Sequence, residues 1–140
     1  MFIALTLFTY SALACVDLSG RYQFPTPPGE EQDVTIITQE GCSAISMNGL
    51  RIITDNEIHK VFEEDILIEG QVAGHVTISA KGTFRANELF LDQYIKMEML
   101  GQFEETHVTS VNTLLGNGDL QSVQKDEDTG EIITIIGKRL

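Results

Sequence analysis

Residues 75–81 read His75-Val76-Thr77-Ile78-Ser79-Ala80-Lys81. In an extended chain Val76, Ile78 and Ala80 point one way, while His75, Thr77, Ser79 and Lys81 point the other. Side chains alternate faces at every residue of a strand, so this error-free period of two predicts an antiparallel strand with one face on a core and the other toward water. A helix would need apolar residues three and four apart, and no such spacing is sustained anywhere in the chain.

The same rhythm runs outward in both directions. Upstream, residues 34–38 are β-branched, and 43–47 place Ile45 and Met47 on one face. Asn48-Gly49 then gives the strongest two-residue hairpin signal in the chain. Residues 52–54, 58–62 and 66–69 are further short runs. Downstream, 83–86 and 89–91 flank Asn87-Glu88, and 94–99 set Ile95, Met97 and Met99 against Lys96 and Glu98. Residues 106–114, 120–125 and 132–136 complete the set. Some eight to ten short strands joined by tight turns predict an antiparallel up-and-down β-barrel, with a β-sandwich as the alternative. The barrel is favoured because a sandwich needs a long connection, and only residues 25–32 supply one.

Composition narrows the function classes. The 140 residues carry 21 Asp and Glu against nine Lys and Arg, a net charge of −12 spread along the chain. Binding phosphate requires Lys and Arg to displace counterions, so nucleic acid is excluded as a partner. After residue 15 no apolar run is long enough to span a bilayer as a helix.

Residues 1–15 contain no charged side chain, and residues 2–10 are an apolar run that ends in Ala12-Leu13-Ala14. This predicts a signal peptide over 1–14 and a single domain over 15–140, secreted or periplasmic. The run lacks the usual Lys or Arg at its start, and the alternative is a buried N-terminal element of the domain. Cys15 and Cys42 are then an even count in an oxidising compartment, which predicts a disulfide. Closing that loop is worth about 3–3.5 kcal/mol in the chain-entropy model. A lipid anchor on Cys15 is the competing expectation, although Leu13 lies two residues before the cysteine rather than the usual three.

Asp17-Leu18-Ser19-Gly20-Arg21-Tyr22 resembles the opening strand of calycin barrels, the group of lipocalins, fatty-acid-binding proteins and avidins. Those begin with an apolar residue followed by Gly-x-Trp, and Gly20-Arg21-Tyr22 stands in that place here. The resemblance implies a barrel floor in which Gly20 allows a sharp bend and Tyr22 points inward. It also implies that Arg139, from the closing Gly137-Lys138-Arg139-Leu140, stacks on Tyr22 as a cation–π contact worth about 0.5–2 kcal/mol. Leu18, Gly20, Tyr22 and Phe24 would share the inner face. Departures narrow the group: there is no Trp for a biotin-type site, no helix pair after the first strand, and no visible C-terminal helix. The pattern Cys-x-Asp-Leu-Ser-Gly-x-Tyr with Gln39-x-Gly-Cys42 also looks like small exported bacterial proteins.

The remaining constellations favour plain readings. His59, His75 and His107 fall on different strands without a metal-ligand spacing, so no metal is expected. Asp126, Asp128, Gly130 and Glu131 begin like a calcium loop, but the twelfth position is Gly137 rather than a bidentate Glu. A solvated hairpin tip explains them. Glu63-Glu64-Asp65 and Glu104-Glu105 suit strand ends that resist aggregation. No nucleophile elbow or phosphate loop is present, so a non-enzymatic protein without cofactors is expected.

The resulting expectation is an exported barrel that binds a small apolar or lipid-like ligand inside, lined by Ile45, Met47, Ile95, Met97 and Met99. Flexible thioethers suit an adaptable cavity and fill a dry core equally well. The alternative is a filled barrel acting as a protein-interaction or structural module. A cavity of about 300 Å³ or more separates the two.

Overall fold

The computed structural model describes residues 15–140, and the signal-peptide reading of residues 1–14 lies outside them. Ten strands follow one another: β1 (Gly20–Gln23), β2 (Val34–Glu40), β3 (Ala44–Met47), β4 (Leu50–Ile53), β5 (His59–Ile68), β6 (Gln71–Arg85), β7 (Glu88–Met99), β8 (Gln102–Leu114), β9 (Leu120–Asp126) and β10 (Ile132–Arg139). They form one antiparallel sheet in the order β4-β3-β2-β1-β10-β9-β8-β7-β6-β5. The outermost strands, β4 and β5, are consecutive in the chain and approach each other. Across this seam the Asn56 amide donates to the Gly82 carbonyl at 2.9 Å. The result is a nearly closed barrel, and the sandwich alternative falls because all ten strands belong to a single sheet whose two edges meet. No helix among the described residues is long and apolar enough to cross a membrane.

The hairpin chemistry follows from backbone twist. Asn48-Gly49, Glu69-Gly70 and Leu100-Gly101 all have positive φ at both positions, from 49° to 86°. Two-residue turns of that kind match the right-handed twist of the strands they join.

Three strands are longer than the sequence pattern predicted. Residues 58–62 and 66–69 belong largely to β5, 75–81 and 83–86 to β6, and 89–91 and 94–99 to β7. In β5 the register shifts between Lys60 and Phe62 and again between Ile66 and Leu67. Each bulge adds a residue and resets the alternation, so the strand does not read as one run. In β6 the interruption is Gly82, where a Cβ would lie 3.2 Å from both Ile52 and Leu91. Glycine marks a crowded seam there, not a strand end.

Inward-facing positions build the core. Leu18, Tyr22, Ile45, Leu89 and Leu120 are fully buried, joined by Ile37, Ile52, Ala80 and Leu91. These lie toward the end that carries the β2–β3, β6–β7 and β8–β9 turns, hereafter the floor. At the opposite end the lengths differ. Residues 102–107 of β8 pair with β7, but β9 joins β8 only from Val108 onward. Six residues of strand rise about 20 Å, so β5–β8 stand above the barrel mouth as a four-stranded flap.

Candidate ligand cavity

The floor is assembled from the N-terminal segment. Residues 15–19 have no strand partner, so their backbone groups must be satisfied by side chains. Gln39 does most of this: its Oε1 accepts from the Leu18 amide at 3.0 Å, and its Nε2 donates to the Val16 and Gly41 carbonyls at 2.8 and 2.9 Å. The Tyr22 hydroxyl donates to the Leu18 carbonyl at 2.9 Å. Burial pushes the Tyr22 pKa up, which keeps the phenol protonated as that donor. The Arg139 guanidinium lies 5.8 Å from the Tyr22 ring centroid and donates to the Ser19 carbonyl at 2.9 Å. A Cβ on Gly20 would sit 3.3 Å from both the Arg139 guanidinium and the Tyr22 hydroxyl. The Cys15–Cys42 disulfide ties the start of the segment to the β2–β3 turn.

Above the floor the barrel is not filled. A cavity of about 350 Å³ is walled by Phe24 and by residues of β2, β3 and β7–β10. Ile37, Met47, Leu91, Val108, Leu120 and Ile135 supply apolar surface. Thr35, Gln93, Ser110, Asn112, Ser122 and Gln124 supply amides and hydroxyls. Asn112 and Ser122 are the two buried polar residues among those described. Asn112 Nδ2 donates to the Leu89 carbonyl at 3.3 Å and to Ser110 Oγ at 3.1 Å, and Gln124 Nε2 donates to Ser122 Oγ at 3.4 Å. One wall depends on a missing side chain: a Cβ on Gly137 would lie 2.6 Å from the Phe24 ring. At the mouth a smaller recess brings Val108, Gln124 and Ile133 beside Asp126 and Glu131.

The five expected lining residues divide by height. Met47 lines the cavity. Ile45 does not, because it is fully buried in the floor core. Ile95, half-buried, pairs with Ile78 and Thr106 above the cavity. Met97 and Met99 lie higher still, on the β7–β8 hairpin, along a space of about 580 Å³ with Leu100, Gln102, Phe103 and Glu104. That space is larger, but the residues that wall it all come from a single hairpin. Enclosure by several strands makes the smaller cavity the better site. The polar lining residues were missed because inward positions of β8 and β9 carry Ser110, Asn112, Ser122 and Gln124, which break the apolar alternation. Their shared parity with Val108 and Leu120 is the signal that could have found them.

The other constellations stay apart. His59 pairs with Asp55 at 2.8 Å, and His75 pairs with Glu63 and Asp65 at 2.8 Å each. His107 stacks on Tyr94 with ring centroids 4.2 Å apart. The three histidines therefore do not converge. Asp55, Glu57 and His59 bring ligand atoms within 4.8 Å of one another in the β4–β5 loop, exposed and half-exposed. The same atoms are used locally, with Asp55 accepting from the Glu57 amide and from the His59 ring. Asp126 accepts from the Asp128 and Thr129 amides, closing the β9–β10 turn on itself. Glu63, Glu64 and Asp65 lie within β5 rather than at its end, where Glu63 and Asp65 flank His75.

Comparison with protein-family models and with curated proteins finds no match to this chain.

Proposed function

We propose that this is an exported, calycin-like, non-enzymatic barrel that holds one small apolar or lipid-like molecule in its interior. The observation that carries the reading is the cavity of about 350 Å³ between Leu91, Val108 and Ile135. It lies within the range of about 300–1,000 Å³ that small-molecule sites occupy. The floor supports the calycin comparison, since Gly20, Tyr22 and Arg139 meet there. The disulfide supports export, because such bonds persist in oxidising compartments. Native mass spectrometry of protein purified from its own source tests the reading. The expected spectrum carries one bound small molecule that leaves on denaturation; a bare chain at every purification would count against it.

A second reading rests on a different surface. Leu67, Val72, Leu100 and Phe103 on the flap are 61–80 % exposed. Leu67 and Val72 are paired on one face and Phe103, paired with Glu98, lies on the other. Exposed apolar side chains on a projecting sheet suit an interaction module in the cell envelope. A stable complex at the flap with an empty interior would favour that reading over the first.

A further inference from the structure

We infer that the cavity selects an uncharged amphiphile, one with an alcohol, amide or ester group on a short hydrocarbon body, and rejects carboxylates and amines of the same length. The inference rests on the cavity reading above and adds the chemistry of its occupant.

The walls contain no Asp, Glu, Lys, Arg or His. A charged group moved inside would lose its water and find no counter-ion, which is the expensive way to bury a charge. The polar groups present are neutral and have bonding capacity left over. Asn112 spends its Nδ2 on Leu89 and Ser110, and no hydrogen bond reaches its Oδ1 among the described residues. Ser110 and Ser122 each accept one bond through Oγ, and no bond donated by either hydroxyl is found among the described residues. Gln93 makes no side-chain hydrogen bond there at all. The cavity therefore offers donors, which an ester, amide or hydroxyl oxygen can accept from, and acceptors, which an amide or hydroxyl also satisfies. A wholly apolar occupant would strand these groups, and sites built to hydrogen-bond discriminate strongly on that basis.

Size and field point the same way. At the roughly 30 Å³ that a water molecule claims in the liquid, about 350 Å³ accommodates on the order of a dozen non-hydrogen atoms. Asp126 and Glu131 stand at the mouth, and the chain carries a net charge of −12. An approaching anion is repelled before it arrives. A cation is attracted to the rim but has no partner further in.

The test is a matched octyl series at pH 7.5, with affinities from calorimetry on the full disulfide-bonded domain. Octan-1-ol, octanamide and methyl octanoate are expected to bind at least tenfold more tightly than octanoate and octylamine. Asn112→Leu and, as the milder change, Ser122→Ala should weaken octanamide by threefold or more and leave octanoate unmoved. Octanoate or octylamine binding as tightly as octanamide would overturn the inference while leaving the cavity reading in place. Binding of none of the five would overturn both.

Discussion

The same three strands, β6, β7 and β8, build two unlike regions. Near the floor their inward side chains are sealed: Ala80 and Leu89 are 0 % exposed and Leu91 3 %. Toward the tips of the flap, Val72 of the same β6 face is 65 % exposed, and Leu100 in the β7–β8 turn is 75 % exposed. β6 and β7 keep one apolar parity through both regions, in Val72, Val76, Ile78 and Ala80 and in Leu89, Leu91, Ile95, Met97 and Met99. What changes is how many strands share the level, since ten wrap round at the floor and four continue above the mouth. Closure buries an inner face, and a four-stranded flap leaves both of its faces wet. Apolar periodicity thus names the face of a strand, and only the neighbours at its height decide whether that face becomes core.

Substitutions in the two regions should differ widely in cost. The largest effect should come from Tyr22→Ala, which empties a fully buried aromatic site and strips the Leu18 carbonyl of its donor. A loss of about 3–5 kcal/mol by chemical denaturation is expected, as for other buried aromatics. A loss below about 1 kcal/mol would mean the floor is not the stable half. Next is the Cys15–Cys42 bond, which closes a separation of 27 residues. Replacing both cysteines by Ser should cost about 3.5 kcal/mol in the loop-entropy model. Together with faster amide exchange across residues 15–22, that would show the N-terminal segment is held from its start.

The flap should respond far less. His75 sits there on the outer face, its Nδ1 2.8 Å from Asp65 and its Nε2 2.8 Å from Glu63. The hydrogen bond its ring donates to Asp65, then that to Glu63, holds its pKa above the ordinary value. A raised folded pKa contributes stability in full below the unfolded value of about 6.5, and loses it as pH rises through the folded value. An NMR titration of the ring should therefore show a midpoint above about 6.5, with His75→Gln removing the associated pH dependence of local exchange. A midpoint at or below the ordinary value would dissolve the pairing. The smallest change is expected for Phe103→Ser, within about 0.5 kcal/mol of the parent, because that ring is already in water.

Much of the fold was legible because its signals are local. Alternation in 75–81, the Asn48-Gly49 turn and the shortage of long connections are properties of neighbouring residues, and they describe an antiparallel barrel. The strand lengths were not legible, because bulges at Lys60/Phe62 and Ile66/Leu67 reset the alternation of β5, and Gly82 imitates a break. The site was legible only in part. Tyr22 and Arg139 lie at opposite ends of the described chain, and only the resemblance to calycin barrels pairs them in advance. Met47 and Met97 share a parity but differ in height, and height depends on how the whole sheet closes. Gln39, which ties down residues 16–18, gave no signal beyond its place in Gln-x-Gly-Cys, since its partners are backbone groups some twenty residues away.

A crystal structure of the domain equilibrated with octan-1-ol would show which region holds a ligand. The expected density lies inside the barrel, between Leu91, Asn112 and Ser122, with the flap bare. Density confined to the groove beside Met97, Met99 and Phe103, with the interior empty, would contradict the cavity reading.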